Sequence, residues 1–335
     1  MAEKILTSIR APFKLDGHEI FVGASIGIAM FPSAGASMDA LIKNADIAMY
    51  RVKNTGRDGF QLFTPEMAGA TKRLQLEQEM HRGLARDEFF VVYQAQVDAE
   101  SGGLLGVEAL VRWQHPKLGR LEPAEFISIA EESRLIVELD RNTLQQAARD
   151  LIRHRQRHGS ELRLSVNVSP VMVSREDFVE TVLDTLRQED FPPEQLEIEI
   201  TENLLLSDRQ DVIEKLHRLS DAGVRIAIDD FGTGYSSLSY LQKLPIHTLK
   251  IDRSFTRHIR SCEEGACLVN AIVAMAQGLQ MEIVVEGVET EVQLEYLKTL
   301  GCKVVQGFLY GEPDSLENVW GHAQTRSGRV SASAL

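Results

Sequence analysis

Val224-Arg225-Ile226-Ala227-Ile228-Asp229-Asp230 is a β-type apolar run that stops on two adjacent carboxylates. A glycine-containing turn, Phe231-Gly232-Thr233-Gly234, follows before a helical pattern resumes. A strand buried on both faces should be apolar throughout, so acids at its C-terminal end are the anomaly to explain. The anomaly recurs along the chain. Glu108 follows Leu104-Leu105-Gly106-Val107, Asn167 follows Leu164-Ser165-Val166, and Glu199 and Glu202 end Glu197-Ile198-Glu199-Ile200-Thr201-Glu202. Lys250 follows Leu249, Glu286 follows Ile283-Val284-Val285, and Gln306 follows Val304-Val305.

Outward from these breaks, the runs themselves are 89–97, 104–113, 162–168, 196–200, 224–228, 248–251, 283–285 and 303–308. Helical patterns lie between the later ones, at about 174–188, 207–221, 262–278 and 290–300. Strands alternating with helices over this length predict an α/β chain whose main body is a (β/α)8 TIM-like barrel. The first two runs are separated only by Asp98 through Gly103, with the turn Glu100-Ser101-Gly102-Gly103, too short for a crossover helix. One antiparallel departure near the start is therefore expected. Ahead of the barrel, strand 19–22, strand 24–30, helix 37–52 and an extended piece at 60–63 predict a small partial α+β segment. The expected division is 1–64 for that segment, 65–87 for a helical linker, 88–320 for the barrel and 321–335 for a flexible tail.

Composition narrows the function. The chain has 335 residues, with 36 Lys+Arg against 49 Asp+Glu, a formal charge of -13. Residues 1–80 are balanced at 9 basic and 9 acidic, so the whole excess falls on the barrel, and binding to a nucleic-acid polymer is not expected. Three cysteines, Cys262, Cys267 and Cys302, form no CxxC pair, which points to a reducing cytoplasm. No apolar stretch reaches membrane-spanning length, so no membrane contact is expected within this chain.

The C-terminal ends of parallel barrel strands converge on one mouth. Carboxylates gathered there repel one another and either take up protons or collect cations. An oxygen and amide ligand set without clustered histidines favours hard divalent ions, Mg2+ or Mn2+. Two such ions would admit an anionic substrate and support phosphodiester hydrolysis. Adjacent Asp229 and Asp230 suit a bridged pair, and Lys250 suits orientation of an attacking water; a structural ion pair of Lys250 with Asp252 or Glu286 is the competing reading. The loop from Asp230 to Leu238 lacks the last glycine of a dinucleotide fingerprint. It reads either as a lid or coupling element or as an ordinary tight turn.

With Glu108-Ala109-Leu110-Val111-Arg112-Trp113 in view, the chain resembles the EAL-domain phosphodiesterases, which hydrolyse cyclic di-GMP to linear pGpG. The resemblance rests on an ordered set over about 88–312: Tyr93-Gln94, Glu108 through Arg112, Asn167-Val168-Ser169, Glu199 through Glu202, Asp229 through Leu241, Lys250 through Phe255, Glu286 through Glu289 and Gln306-Gly307. It implies two divalent ions held by Glu108, Asn167, Glu199, Asp229, Asp230, Glu286 and Gln306. Lys250, Glu286 and Glu108 would be catalytic, and Gln94, Leu110, Arg112 and Asp252 would contact substrate. Glu202, Phe231, Gly232, Thr233 and Gly234 would couple the loop to homodimerisation. A weak or inactive cyclic di-GMP receptor is the alternative, and an unrelated barrel enzyme using Lys250 as a carbon-acid base is a third.

Ala95, Arg134 and Glu312 depart from that family's usual Pro, Gly and Arg or Lys. Glu312 carries the most weight, because an acid near the mouth would oppose an anionic substrate. The N-terminal part resembles the end of a GGDEF diguanylate cyclase domain, through Ala24-Ser25-Ile26-Gly27-Ile28-Ala29, Ala45-Asp46-Ile47-Ala48-Met49-Tyr50 and Lys53-Asn54-Thr55-Gly56-Arg57. Its signature loop is not in the sequence, so cyclase activity is not expected. The segment is expected to expose apolar surface from Ile20 to Phe31.

Overall fold

A computed structural model describes residues 1–15, 18–54, 57–205, 210–232, 241, 243–257, 259 and 267–333. The chain forms two compact units, Met1–Arg82 and Gly83–Leu335.

In the first unit, α1 (Ala2–Ile9) precedes an antiparallel pair, β1 (Phe13–Leu15) and β2 (His18–Ile20). Strand β3 (Ser25–Ile28) pairs in parallel with β4 (Gly59–Leu62), and α2 (Met38–Asn54) makes the crossover. A Cβ on Gly27 would fall 1.8 Å from the Ala45 carbonyl oxygen, so this glycine is what lets β3 lie against α2. Helix α3 (Pro65–Leu84) follows. The sequence reading anticipated β2, β3, α2 and β4; α1 and β1 have no counterpart in it. Ile20, Phe21, Val22, Met30 and Phe31 are exposed, with Phe21 at 73%.

The second unit is a closed barrel. Its strands are β5 (Phe89–Asp98), β6 (Leu104–His115), β8 (Arg163–Asn167), β9 (Leu196–Thr201), β10 (Arg225–Phe231), β11 (Thr248–Ile251), β12 (Glu282–Val285) and β13 (Val304–Gln306). Short β7 (Gly119–Leu121) hangs on β6 as a hairpin. Every neighbouring pair from β6 through β13 is parallel. β5 closes the ring antiparallel to both β6 and β13. The expected antiparallel departure is thus one strand wide, as the short 98–103 connection requires.

The outer layer is α4 (Pro123–Glu132), α5 (Ile136–His158), α6 (Pro170–Val173), α7 (Phe178–Gln188), α8 (Glu202–Leu205), α9 (Gln210–Asp221), α10 (Arg253–Thr256), α11 (Cys267–Gly278), α12 (Glu291–Thr299) and α13 (Leu316–Ser333). The sequence reading passed over α4 and α5, although Leu144, Ala147, Ala148 and Leu151 make a buried stripe on α5 at helical spacing. The linker helix ends at Leu84, and the unit boundary falls at Arg82/Gly83. Residues 321–333, expected as a flexible tail, continue α13.

Inside the ring, side chains of period two point to the axis. They form two polar layers. The lower layer is Gln96, Ser165, Glu197 and Thr248, and it is hydrogen-bonded throughout: Gln96 to Ser165, then Ser165 and Thr248 to Glu197. Arg225 neutralises Glu197 at 3.2 Å and continues to Glu282 at 2.6 Å, which Arg163 also reaches at 2.7 Å. The upper layer, one pleat closer to the strand C-termini, is differently composed.

Candidate active site

Lys250 is the centre of that upper layer. It is fully buried on β11, and its Nζ lies 2.6 Å from Glu199 Oε2, 2.8 Å from Glu286 Oε1, 3.2 Å from Asp229 Oδ1 and 3.3 Å from Glu108 Oε2. Four strands, β6, β9, β10 and β11, and the residue after β12 deliver these groups, which are up to 178 positions apart in sequence (286 − 108). Burial alone would strip the lysine of its proton, but Asp229, Glu108, Glu199 and Glu286 outweigh it and hold the ammonium well above the ordinary lysine range.

Amides complete the layer. Asn167 donates to Glu108 Oε1 at 2.6 Å, and Gln306 donates from one nitrogen to Glu108 Oε2 at 2.6 Å and Gln94 Oε1 at 2.9 Å. Burial works against Glu108, yet Lys250, Gln306 and Asn167 together keep its carboxyl below the usual range. The other acids go the opposite way. Burial, then the Glu108 charge, raises Glu199 well above an ordinary carboxylate. Burial pushes Glu286 up to about 8, with the Asp229 charge acting in the same direction. Asp230 is raised by burial and then by Asp229 and Asp252.

One ammonium against Glu108, Glu199, Asp229, Asp230 and Glu286 leaves an excess of negative charge that protons or cations must offset. Two observations favour cations. Glu199 Oε1 and Gln306 Oε1 are buried and accept no hydrogen bond among the described residues. Carboxylate oxygens of Asp229, Asp230 and Glu286 lie within 4.8 Å of one another, which is the spacing of a shared hard ion. The backbone is bent to achieve this: the β10–β11 register shifts between Ile228 and Phe231, and Asp230 takes φ +55°. A bulge at that point aims two successive side chains at the mouth instead of opposite faces.

The mouth opens as a cleft of about 210 Å3, walled by Gln94, Glu108, Leu110, Asp229, Glu286 and Gln306. Arg253, Glu289 and Phe308 also line it, and the sequence reading assigned them nothing. Arg253 lies within the Lys250–Phe255 motif and Glu289 within Glu286–Glu289, and that position is the signal the sequence offers for them. Gly287, at φ +66°, passes so close to Arg253 that a Cβ would lie 2.4 Å from that residue's Cβ.

The remaining expected site residues are placed as follows. Glu202 Oε2 accepts the Gly232 N–H at 2.9 Å, which ties the residue after β10 to the start of α8. Phe231 is buried, and Thr233 and Gly234 lie outside the described residues. Arg112 is buried on β6, four residues on from Glu108. Its Nε is 2.8 Å from Glu122 Oε2 without alignment for a hydrogen bond. Asp252 caps α10 by accepting from the Ser254 N–H at 2.9 Å. Of the unusual positions, Ala95 is buried in β5, Glu312 is exposed, and Arg134 sits at φ +63°, the left-handed region glycine favours.

A closed eight-stranded barrel whose parallel strands end on a lysine ringed by carboxylates has the architecture of a barrel enzyme with its site at the C-terminal mouth. The EAL domain model matches residues 77–313, and the chain belongs to that family. Residues 1–59 match the diguanylate cyclase GGDEF domain model. The chain is 40% identical over 320 residues to the bifunctional diguanylate cyclase/cyclic di-GMP phosphodiesterase MucR of Pseudomonas aeruginosa, covering 95% of this chain and 47% of that protein. It is 37% identical over 314 residues to the cyclic di-GMP phosphodiesterase PdeR of Escherichia coli, covering 93% and 47%. It thus spans about half the length of these curated relatives. The solved PaMucR phosphodiesterase in its c-di-GMP complex superposes with a TM-score of 0.70 at 39% identity, over 73% of this chain and 99% of that one. Among the described residues, no helix is long and apolar enough to cross a membrane.

Proposed function

We propose that the barrel hydrolyses cyclic di-GMP to linear pGpG. The observation that carries this reading is the Lys250 cluster: one buried ammonium within 3.3 Å of four carboxylates, at a mouth where Asp229, Asp230 and Glu286 converge. The likeness to phosphodiesterases over most of the barrel supports it.

The reaction adds one water across a phosphodiester: a bond forms from the water oxygen to phosphorus, the bond to a ribose oxygen breaks, and that oxygen takes up a proton. Two divalent ions, Mg2+ or Mn2+, would be held by Glu108, Asn167, Glu199, Asp229, Asp230, Glu286 and Gln306. Bound there, such ions polarise a phosphoryl oxygen and lower the pKa of water. Lys250 keeps its proton at Nζ, so it acts as a donor that orients the attacking water and not as a base. Glu286, whose Oε1 lies 2.8 Å from Lys250 Nζ at the mouth, is placed to accept the water's proton. Glu108 holds the amides of Asn167 and Gln306 in place.

Gln94 and Leu110 face the cleft and would contact the nucleotide. Arg112 would reach a phosphate after leaving Glu122, and Asp252 would contact the substrate. The Glu202–Gly232 bond would link the loop to ion affinity and, in a homodimer, to the partner subunit. An intracellular messenger as substrate would imply a cytoplasmic site. Incubating purified protein with cyclic di-GMP and Mn2+, with and without chelator, followed by nucleotide chromatography, tests the proposal. Formation of pGpG only without chelator is expected; tight binding with no cleavage at saturating Mn2+ would replace the enzyme with a receptor.

A further inference from the structure

A second constellation of metal-ligating side chains lies away from the mouth. His154 and His158 are four residues apart on α5 and therefore share one face of the helix. Glu317, from the first turn of α13, meets them there: His158 Nε2 is 3.3 Å from Glu317 Oε2. One donor atom from each of the three residues lies within 4.8 Å of the other two. A tetrahedral ion with bonds of about 2.1 Å sets its donors roughly 3.4 Å apart, which small side-chain rotations supply.

His154 gives the independent observation. It is 2% exposed, yet neither ring nitrogen has a hydrogen-bond partner among the described residues. An imidazole always presents at least one N–H or one lone pair to satisfy, and a buried nitrogen left unpaired is costly. Packing alone does not resolve this. The ring lies against Trp320 at 4.7 Å and His158 at 4.5 Å, contacts that fill space but offer no acceptor oxygen. An ion on one nitrogen removes one of the two unpaired atoms. Arg157 holds the other Glu317 oxygen, Oε1, at 2.7 Å and leaves Oε2 turned to the histidines.

We infer that His154, His158 and Glu317 form a Zn2+ site that clasps α13 to α5. Two imidazoles and one carboxylate suit a borderline ion, not the hard ions of the acidic mouth. A fourth position is open to water. Helix α5 ends at His158, five residues before β8 begins at Arg163, so the clasp sits at the end of the barrel where strands start, opposite the mouth. Its residues are separate from every group assigned above to cyclic di-GMP.

The full chain is dialysed against Zn2+ in a buffer that keeps Mg2+ saturating, so that hard-ion sites stay filled, and the bound zinc is counted. The unaltered chain should retain one more equivalent than either His158→Ala or Glu317→Gln, both at solvent-accessible positions. Co2+ in place of Zn2+ should give visible d–d absorption and quench Trp320 fluorescence, and both signals should vanish in His158→Ala. Circular dichroism and cyclic di-GMP turnover should match the unaltered chain. Equal zinc equivalents in all three proteins, or identical Co2+ spectra, would overturn the assignment.

Discussion

Lys250 Nζ and Glu199 Oε2 lie 2.6 Å apart, and neither side chain reaches solvent. Two strands that are hydrogen-bonded only through β10 thus place opposite charges in contact across the barrel interior. Glu199 presents its other oxygen, Oε1, to nothing among the described residues.

Lys250→Met removes the ammonium at the centre of this cluster. Turnover of cyclic di-GMP should fall by roughly 10²–10⁴-fold. Without its counter-charge the four acids must bind protons, so the variant's metal-free stability should decline with rising pH more steeply than that of the unaltered chain. Thermal unfolding in chelator at acidic and alkaline pH checks this; an equal decline in both proteins would contradict the ring of charge described above.

Glu286 titrates at about 8 in the folded chain, well above an unfolded glutamate at about 4.3. Between those values the native state binds the additional proton, so stability is complete at low pH and is lost as pH rises towards 8. Saturating Mn2+ replaces the proton and should flatten that decline. Urea unfolding from pH 4.5 to 8.5, with and without Mn2+, measures it.

Asp140 should account for a decline that Mn2+ does not touch. It accepts from the Ser169 N–H at 3.0 Å and hydroxyl at 2.6 Å, yet burial outweighs both and raises it to about 7. Its stabilising contribution is likewise present at low pH and lost as pH rises from about 4 to 7. Asp140→Asn should remove this slope in the same unfolding series while leaving the Mn2+ effect in place.

Glu202→Gln weakens the acceptor for the Gly232 N–H without changing size. Because Gly232 is two residues from Asp230, the Mn2+ concentration for half-maximal turnover should rise about 10-fold, with kcat changed less. A Mn2+ titration of activity decides between this and a purely structural bond, whose loss would lower kcat through misfolding and leave the half-maximal Mn2+ concentration unchanged.

Arg134→Gly relieves a left-handed backbone at φ +63°. The gain should be at most about 1 kcal/mol, because the strain removed is partly offset by the greater freedom of glycine in the unfolded chain. The urea midpoint should move upward with turnover unchanged.

Eight strands and most of the later helices could be read directly, because burial inside a ring demands apolar runs and the crossovers demand amphipathic ones. Glu108, Glu199, Asp229, Lys250 and Glu286 stood out as violations of that demand. Helices α4 and α5 lie together between β7 and β8 with no strand between them to mark their bounds, and the composition of α13 is polar enough to resemble a tail. Glu197 lies two residues before Glu199 on the same face of β9, and both are buried.

Strand order and the identity of the unusual acids were therefore local properties, written into period and composition. Which acids share an ammonium was not, because that depends on how far each strand is staggered around the ring. The stagger sets Glu197 beside Arg225 as a neutralised structural pair and Glu199 beside Lys250 among excess acids. It likewise took folding to bring His154 and Glu317, 163 residues apart (317 − 154), into one cluster, since helices that pack side by side need not be neighbours in the chain.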